Sequence, residues 1–270
     1  MDKNNQVAPI ATSQEEATRK DLAGRLSQEQ RRQDVADLAL AKEFEEVTSR
    51  LKDFSPPKLP QPNGPTKSEL TQAMRLLISD LGARYSQNRV SLENFERYHP
   101  AQAKVLSEAC QLAKHLTEFV LAGRGLILHG SVGTGKDQIM AALLYRAVSE
   151  HSLSVRWVNG LDLFGAVRDG MDDGRKEIDF FRTWSAPAIL AISDPIPPLR
   201  DPSAWNIEIL YRLIDRRYRN NKSTWMTLNA ASVEEADEKL SAPVFDRLKE
   251  DAVILRCFWP SYRERQKKRA

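Results

Sequence analysis

The sequence predicts an α/β protein with a five-stranded parallel sheet, helices on both faces of that sheet and a helical N-terminal arm in front of it. The first observation is an apolar run at 125–129 that ends in a glycine-rich loop, which in turn opens an amphipathic helix. The second is a series of further short apolar segments, separated by helical patterns, at 154–158, 187–193, 223–229 and 252–256. Short apolar runs that alternate with helices are typical of a parallel sheet buried on both faces.

The composition is that of a soluble globular protein, with 41% apolar and 29% charged residues. The formal net charge of +3 is too small to indicate a nucleic-acid partner by itself. No apolar run approaches the ~18 residues of a membrane span, and the N-terminus lacks the apolar segment of a secretory signal. The two cysteines, Cys110 and Cys257, have no metal-site spacing, so we expect a cytoplasmic protein with reduced thiols and no membrane partner.

The first 66 residues predict an arm and a linker rather than part of the core. Residues 14 to 52 contain no proline and are rich in Glu, Gln, Lys, Arg, Ala and Leu, which favours helix. Their apolar residues form a thin stripe at helical spacing, so residues 1–52 are expected to bind a partner protein, or otherwise to form a solvated helix. Residues 53–66 are expected to be a semi-rigid linker, because five prolines between 54 and 66 exclude regular helix.

The core helices are predicted from amphipathic spacing. Ser68 is expected to cap a short first helix, and a stronger helix covers 101–121 and ends before Gly123. Further helices are predicted between the strands, at 136–150, 161–170, 175–184, 203–220 and 232–249. The core domain therefore spans 67–265 and is followed by a basic tail at 266–270.

The loop after the first predicted strand has the P-loop spacing, in which four residues separate two glycines and a lysine follows the second glycine. Glycines allow backbone N–H groups to turn inward around phosphate oxygens, and the following helix adds the positive end of its dipole. We expect the phosphates of a nucleotide to bind here, on Gly130, Ser131, Val132, Gly133, Thr134, Gly135, Lys136 and Asp137. Asp137 departs from the motif, which asks for a serine or threonine hydroxyl on Mg²⁺.

The third predicted strand ends at Ser193-Asp194, where a P-loop protein places its second acidic motif. Apolar residues lead into Asp194 at the carboxyl end of the strand, which is the edge where open α/β sheets bind ligands. We expect Asp194 to hold the Mg²⁺ shell or to polarise the attacking water, with a turn aspartate before Pro195 as the alternative. Many ATPases carry two acids here, and Ser193 replaces one of them.

Two more polar residues follow in the order that an ATPase needs. Asn229 stands at the tip of the fourth predicted strand, where its amide could orient water against the γ-phosphate. The alternative is that Asn229 caps the next helix, although Ser232 is better placed for that role. Arg247 lies at the end of a helix and could reach the γ-phosphate of a neighbouring subunit in trans, which implies a homo-oligomer.

Basic residues on the predicted helix 203–220 suggest a contact with single-stranded DNA. They are Arg212, Arg216, Arg217 and Arg219, and the tail beyond Arg263 is also basic. Clusters of this kind bind phosphates without reading base sequence. We retain Arg212, Arg216 and Arg219 as the DNA-binding candidates, with a solvated helix face as the alternative.

These features resemble the AAA+ family of helicase loaders and transposase helpers, that is, DnaC-like and IstB-like ATP-binding proteins. The resemblance covers about residues 85–265 and rests on 94–98, 130–136, 160–163, 191–194, 227–229, 245–248 and 261–263. It implies a five-stranded AAA+ core without a separate lid, and ATP with Mg²⁺ at the P-loop. It also implies Asn229 as sensor 1, Arg247 as arginine finger and Arg263 as a sensor-2-like contact.

The resemblance further implies that residues 14–52 grip a hexameric replicative helicase. The chain is therefore interpreted as a helicase loader that delivers the helicase to single-stranded DNA, with ATP as a switch. A transposase helper ATPase and a non-hydrolysing assembly adaptor stay open as alternatives. Because Asp137 and Ser193 both fall on the metal side of the site, we expect nucleotide binding with slow hydrolysis.

Overall fold

The computed structural model describes residues 66–174, 176–195 and 202–267. The predicted arm, the linker up to residue 65 and the tail from residue 268 lie outside the described residues. The helices are α1 (Lys67–Leu81), α2 (Ala101–Lys114), α3 (Leu116–Leu121), α4 (Lys136–Ser149), α5 (Gly160–Asp172), α6 (Glu177–Ser185), α7 (Ala204–Arg219), α8 (Val233–Leu240), α9 (Ala242–Lys249) and α10 (Tyr262–Lys267). The strands are β1 (Leu126–Gly130), β2 (Val155–Asn159), β3 (Ile189–Ser193), β4 (Ser223–Leu228) and β5 (Val253–Cys257).

The five strands form one sheet in the order β2-β3-β4-β1-β5, and every neighbouring pair is parallel. The predicted fold class, a five-stranded parallel sheet with helices on both faces, is thereby confirmed. The register places Ser193 of β3 opposite Thr227 of β4. Because all strands run the same way, the ends of β1, β3 and β4 meet at one edge, and the polar residues after them converge there.

The sheet separates two apolar layers. Leu126, Leu128 and Trp225 face one layer, which α1, α2 and α4 cover. The alternate residues Ile127 and Met226 face the other layer, under α5 to α9. Each apolar side chain buried in this way stabilises the fold by about 1.5–3 kcal/mol relative to exposure. Burial on both faces therefore stabilises the sheet whose carboxyl edge carries the site.

Two of the predicted helices are each divided in the structure. The stretch 101–121 breaks at His115, whose backbone leaves the helical region, so that α2 and α3 are separate. The stretch 232–249 breaks at Ser241, which has a φ of 72° and precedes a helix with Pro243 in its first turn. A left-handed residue followed by proline ends one helix and starts another.

The first helix begins two residues earlier than predicted, because its N-cap is Thr66 and not Ser68. The Thr66 hydroxyl accepts a hydrogen bond from the Glu69 N–H at 3.3 Å, and the Glu69 carboxylate accepts one from the Thr66 N–H at 2.7 Å. This reciprocal capping box satisfies two helix-end donors at once. Among the helices of the described ranges, none has the length and apolar character needed to cross a membrane.

Candidate nucleotide-binding site

The loop between β1 and α4 is shaped by glycines with left-handed backbone. Gly133 has a φ of 80° and Gly135 a φ of 89°, a region that residues with a Cβ rarely adopt. A Cβ on Gly133 would also lie only 2.2 Å from the Ser261 hydroxyl. Glycine is therefore required at this position, and the loop can bend its N–H groups toward one centre ahead of the positive end of α4.

The segment after β5 braces this loop from behind. The indole N–H of Trp259 donates to the Thr134 carbonyl at 2.9 Å, and the Tyr262 N–H donates to the Gly133 carbonyl at 2.9 Å. Trp259 is itself buried. The C-terminal segment and the loop therefore form one unit, which fixes the loop in advance of any ligand.

Lys136 is buried at the first position of α4, and its ammonium group lies inside the loop. It donates to the Gly130 carbonyl at 3.0 Å, to the Ser131 carbonyl at 2.8 Å and to the Asn229 side-chain oxygen at 2.8 Å. Burial lowers the pKa of Lys136, which the nearby Asp194 carboxylate counteracts. All three N–H donors of this cation rest on neutral oxygens, which anionic phosphate oxygens could replace with stronger, charge-assisted bonds.

The two residues that depart from the P-loop pattern contact each other. The hydroxyl groups of Ser193 and Thr227 each donate to the Asp137 Oδ1 at 2.8 Å. The Tyr85 hydroxyl approaches Asp137 Oδ2 at 3.5 Å. Asp137 is thus held by hydroxyls from two neighbouring strands, at the place where the motif expects a hydroxyl.

Asp194 follows β3 in a left-handed conformation, with a φ of 45°. Its Oδ1 is buried and has no hydrogen-bond partner among the described residues. The pKa of Asp194 is raised to about 6, mainly by burial and then by the Asp137 carboxylate, while Lys136 and a hydrogen bond from Asn229 act in the opposite direction. A strained, under-satisfied carboxyl at this edge has acceptor capacity left for a ligand.

These groups line a cleft of about 400 Å³. Most of the predicted site residues lie on its walls, namely Val132, Gly133, Thr134, Gly135, Lys136, Asp137, Asp194, Asn229 and Arg263. Gly130 and Ser131, at the start of the loop, contact Lys136 instead: their backbone carbonyls accept hydrogen bonds from its ammonium group. The structure therefore brings together nearly all residues that the sequence assigned to phosphate and metal.

The opposite wall of the cleft comes from the segment between α1 and α2. It contributes Arg84, Tyr85, Arg89 and Phe95. The two arginines belong to no motif, and only the packing of this segment against α4 brings them to the cleft; the Tyr145 hydroxyl on α4 donates to the Tyr85 carbonyl at 2.9 Å. The sequence signal that could have indicated Arg84 and Arg89 is their position, in the stretch that leads into the 94–98 motif.

Arg247 lies away from this cleft. Its guanidinium donates to Asp215 Oδ1 at 3.1 Å, to the Pro243 carbonyl at 2.8 Å and to the Tyr211 hydroxyl at 3.3 Å. Its side chain is 27% exposed. An arginine that serves a neighbouring subunit must lie outside its own cleft, so this position leaves the predicted role in trans untested.

The basic residues of α7 are mostly engaged within the fold. Arg212 pairs with Glu177 at 2.6 Å and Arg219 with Asp215 at 2.9 Å. Arg217 is fully buried and cannot contact DNA. Within the described residues Arg216 makes no ion pair, so of the predicted DNA-binding candidates it alone presents an unpaired charge there.

The donor set fits a nucleotide with its divalent cation. Backbone N–H groups of the loop, Lys136 and Arg263 suit phosphate oxygens, and the carboxylates of Asp137 and Asp194 suit a hard cation. No group of three or more His, Cys, Asp or Glu side chains in the described ranges could hold a metal. Mg²⁺ does not require such a group, because one or two carboxylates can share the ion with the phosphates of a ligand.

A family model described as IstB-like ATP binding protein matches residues 69–270. The chain belongs to this family. The matched range includes every residue assigned to the cleft above. The predicted DnaC-like and IstB-like identity is confirmed.

Known proteins similar to this IstB-like protein include members of two functional groups. The replicative helicase loader DnaC of Buchnera aphidicola subsp. Schizaphis graminum is 26% identical over 195 residues, which are 71% of this chain and 76% of that protein. An insertion-sequence protein of Mycobacterium tuberculosis, named for ATP binding, is 31% identical over 110 residues, 41% of this chain and 42% of the relative. ATP binding is named both for the second relative and for the matching family.

The solved structures extend the fold assignment. A crystal structure of the DnaC helicase loader matches with a TM-score of 0.58 and 23% sequence identity, covering 65% of this chain and 99% of that one. This likeness shows that the IstB-like protein has the AAA+ fold of that loader, as the resemblance implied. Together with the family match, this fold makes the cleft described above the candidate nucleotide site of an ATP-binding AAA+ protein. The individual roles of its side chains remain predictions.

Proposed function

We propose that this IstB-like protein is an ATP-binding helicase loader in DNA replication, which delivers a replicative helicase to single-stranded DNA with ATP as the switch. The observation that carries the proposed ATP switch is the position of Asn229 between Lys136 and Asp194. Asn229 accepts from Lys136 at 2.8 Å and hydrogen-bonds the Asp194 carboxyl. A side chain that joins the phosphate cation to the acid at the tip of a central strand is placed to change partners when a γ-phosphate arrives.

Each polar group then has a stated task. The loop N–H groups and Lys136 would bind the phosphates, and Arg263, which also lines the cleft, would add a second cation. Mg²⁺, when bound, would neutralise phosphate charge. Asp194 would accept a hydrogen bond from the attacking water, and Asn229 would orient that water.

Arg247 would act on a neighbouring subunit. Its bonds to Asp215 and to the Tyr211 hydroxyl are made at a partly exposed site, where ion pairs contribute little. Exchange of Asp215 for a γ-phosphate of the next subunit is therefore feasible. This would couple ATP binding to the formation of a homo-oligomer.

The partner assignment is supported by the DnaC similarity, which covers 76% of that loader's length. We propose that residues 14–52 grip the hexameric helicase, that 53–66 act as a spacer and that 67–265 form the ATP-binding domain. Single-stranded DNA would contact the basic residues of α7, with Arg216 as the residue whose charge is unpaired among the described residues. Contacts of this type weaken steeply with salt.

The second candidate is a transposase helper. It is favoured by the IstB-like family description and by the similarity to an insertion-sequence protein. The same nucleotide switch would then act on a transposase bound to DNA. The coverage of that relative, 42% of its length, supports this candidate less than the DnaC similarity supports the first.

Capture experiments separate the two candidates. The immobilised full chain is offered a purified replicative helicase or a purified transposase, each with ATP, with ADP and without nucleotide. We expect helicase capture that responds to nucleotide, and loss of capture when residues 1–60 are deleted. Lys136→Ala should abolish the nucleotide response, whereas Lys104→Ala, on the exposed face of α2, should preserve it. Capture of the transposase alone would reject the loader assignment.

A further inference from the structure

The two departures from the P-loop pattern are a matched pair. A P-loop places a Ser or Thr hydroxyl after its lysine and an aspartate at the end of the neighbouring acidic strand. In this chain the carboxylate follows the lysine, as Asp137, and the hydroxyl ends the strand, as Ser193. The two groups are hydrogen-bonded at 2.8 Å. The pair therefore still contains one carboxylate and one hydroxyl, so its net charge is that of the ordinary arrangement.

The surrounding fold supports a carboxylate at position 137. Asp137 lies in the first turn of α4, where the helix dipole stabilises negative charge. Ser193 and Thr227 are paired in register on β3 and β4, and both donate to the same oxygen, Oδ1, at 2.8 Å. Two fixed donors on one oxygen set the orientation of the carboxylate.

The other oxygen of Asp137 keeps its capacity for a ligand. Among the residues that the structure describes, Oδ2 accepts one long hydrogen bond, from the Tyr85 hydroxyl at 3.5 Å, and Asp137 lines the cleft. On the same cleft, Asp194 Oδ1 is buried without a hydrogen-bond partner in the described part of the chain. Two carboxylate oxygens with unused acceptor capacity, beside a phosphate cradle, are the donor type that Mg²⁺ prefers.

We propose that Asp137 and Ser193 are a reciprocal exchange that preserves the divalent-cation site, with Asp137 as the protein ligand and Ser193 and Thr227 as the hydroxyls that orient it. The proposal rests on the proposed nucleotide binding and deepens it. It replaces the expectation of two separate losses on the metal side by a single exchange of groups. Hydroxyls that orient a ligating carboxylate hold a metal site in shape.

The test is a double-mutant cycle on the full chain, read out by metal binding. Wild type, Asp137→Ser, Ser193→Asp and the double exchange are compared by electron paramagnetic resonance of free Mn²⁺, with a non-hydrolysable ATP analogue present. We expect Asp137→Ser to weaken Mn²⁺ binding about 10–100-fold. Ser193→Asp should weaken nucleotide binding in EDTA, because two carboxylates then face each other. The double exchange should return Mn²⁺ affinity to within about threefold of wild type, as strong coupling between contacting residues requires.

A conservative variant keeps the test decisive if a serine variant fails to fold. Asp137→Asn retains the acceptor for Ser193 and Thr227 and removes only the charge, and it should also weaken Mn²⁺ binding at least about tenfold. Asp162→Asn is the matched control, because Asp162 is an exposed acid in the first turn of α5; it should leave Mn²⁺ affinity unchanged.

The outcomes distinguish the inference from the function on which it rests. If wild type binds no fluorescent ATP analogue with or without Mn²⁺, the proposed function and the inference both fail. If wild type binds the analogue but Asp137→Asn leaves Mn²⁺ affinity unchanged, only the inference is overturned. A double exchange that binds Mn²⁺ no better than the weaker single variant also overturns it.

Discussion

Two edges of the same sheet each bury a cationic side chain, and the two cations are used differently. Lys136 lies at the carboxyl edge, inside the phosphate loop. Arg217 lies at the amino edge, where it is 0% exposed. Its guanidinium donates to six protein oxygens at 2.5–3.3 Å, namely the Thr224 hydroxyl and the carbonyls of Trp184, Ser185, Pro187, Ala188 and Ser223.

The difference lies in what each edge leaves unsatisfied. Around Arg217 all six partners are protein oxygens in or next to α6, β3 and β4. Burial lowers the pKa of Arg217 to about 9, so the group stays charged at neutral pH. Around Lys136 the neighbouring Asp194 keeps a buried oxygen without a partner in the described residues. Buried polar groups in folded proteins are normally paired. The Ser185 hydroxyl beside Arg217 also lacks a partner in the described residues, but an unpaired carboxylate oxygen costs more than an unpaired hydroxyl. We therefore interpret the Arg217 network, at the closed edge, as structural and the unpaired Asp194 oxygen, at the open edge, as the mark of a ligand site.

The largest expected effect is at the closed edge. In Arg217→Met an apolar side chain of similar length replaces the guanidinium, so several buried carbonyls lose their donors. This should lower the free energy of unfolding by about 4 kcal/mol. Urea unfolding measures this effect. Arg216→Met, one residue away on a partly exposed face, is the matched control and should change the free energy by less than about 0.5 kcal/mol. Equal effects of the two variants would remove the structural half of the comparison.

At the open edge, Lys136→Ala should affect binding more than folding. Loss of a charge-assisted contact to phosphate should weaken binding of a fluorescent ATP analogue about 100-fold, or about 3 kcal/mol. The free energy of unfolding without nucleotide should change by only about 1 kcal/mol, because the three direct partners of Lys136 are neutral oxygens and the nearby Asp194 carboxyl can take up a proton when the cation is removed. If Lys136→Ala destabilised the fold strongly but bound the ATP analogue with wild-type affinity, Lys136 would be the structural cation, and the assignment of the carboxyl edge to ligand binding would be wrong.

The sequence predicted the open edge better than the closed one. Lys136, Asp194 and Asn229 follow strands in a fixed order, so local pattern was enough to place them together. Arg217 stood among other arginines on an amphipathic helix, and only the packing of α7 against the start of β4 shows that it points inward. Local pattern carries no information about a partner that lies far away in sequence and has no motif.

The same limit explains the other residues of the site that the sequence did not indicate. Arg84 and Arg89 reach the cleft through the packing of the α1–α2 connection on α4. The contact between Asp137 and Ser193 depends on how the start of α4 packs against the end of β3. The sequence identified both substitutions, but their relation to each other is a tertiary contact over 56 residues.

Asp194→Asn should stabilise the protein without nucleotide. Burial and the Asp137 carboxylate raise the pKa of Asp194 to about 6, so the folded state loses stability as the pH rises through about 6 and the carboxyl ionises. Removing the charge should raise the Tm at pH 7 by about 2–4 °C, which corresponds to about 1 kcal/mol.

The pH profile provides the check on Asp194. The advantage of Asp194→Asn in thermal unfolding should fade as the pH falls toward about 4, because the wild-type carboxyl then becomes neutral by itself. Hydrolysis of ATP, if wild type shows any, should be lost in the variant. If Asp194→Asn had a lower Tm than wild type at pH 7, the Asp194 carboxylate would be satisfied within the fold, and it would no longer indicate a ligand site at this edge.

The smallest effect separates a helix cap from a sensor at the same strand tip. Ser232 caps α8, since its hydroxyl accepts from the Glu235 N–H at 3.1 Å, whereas Asn229 bonds to Lys136. Ser232→Ala should cost about 1 kcal/mol of stability and leave the affinity for the ATP analogue unchanged. Asn229→Ala should instead leave α8 stable and remove the nucleotide response of helicase capture. If Ser232→Ala weakened nucleotide binding as much as Asn229→Ala did, the strand tip would act as one rigid unit, and Asn229 would have no separate sensing role.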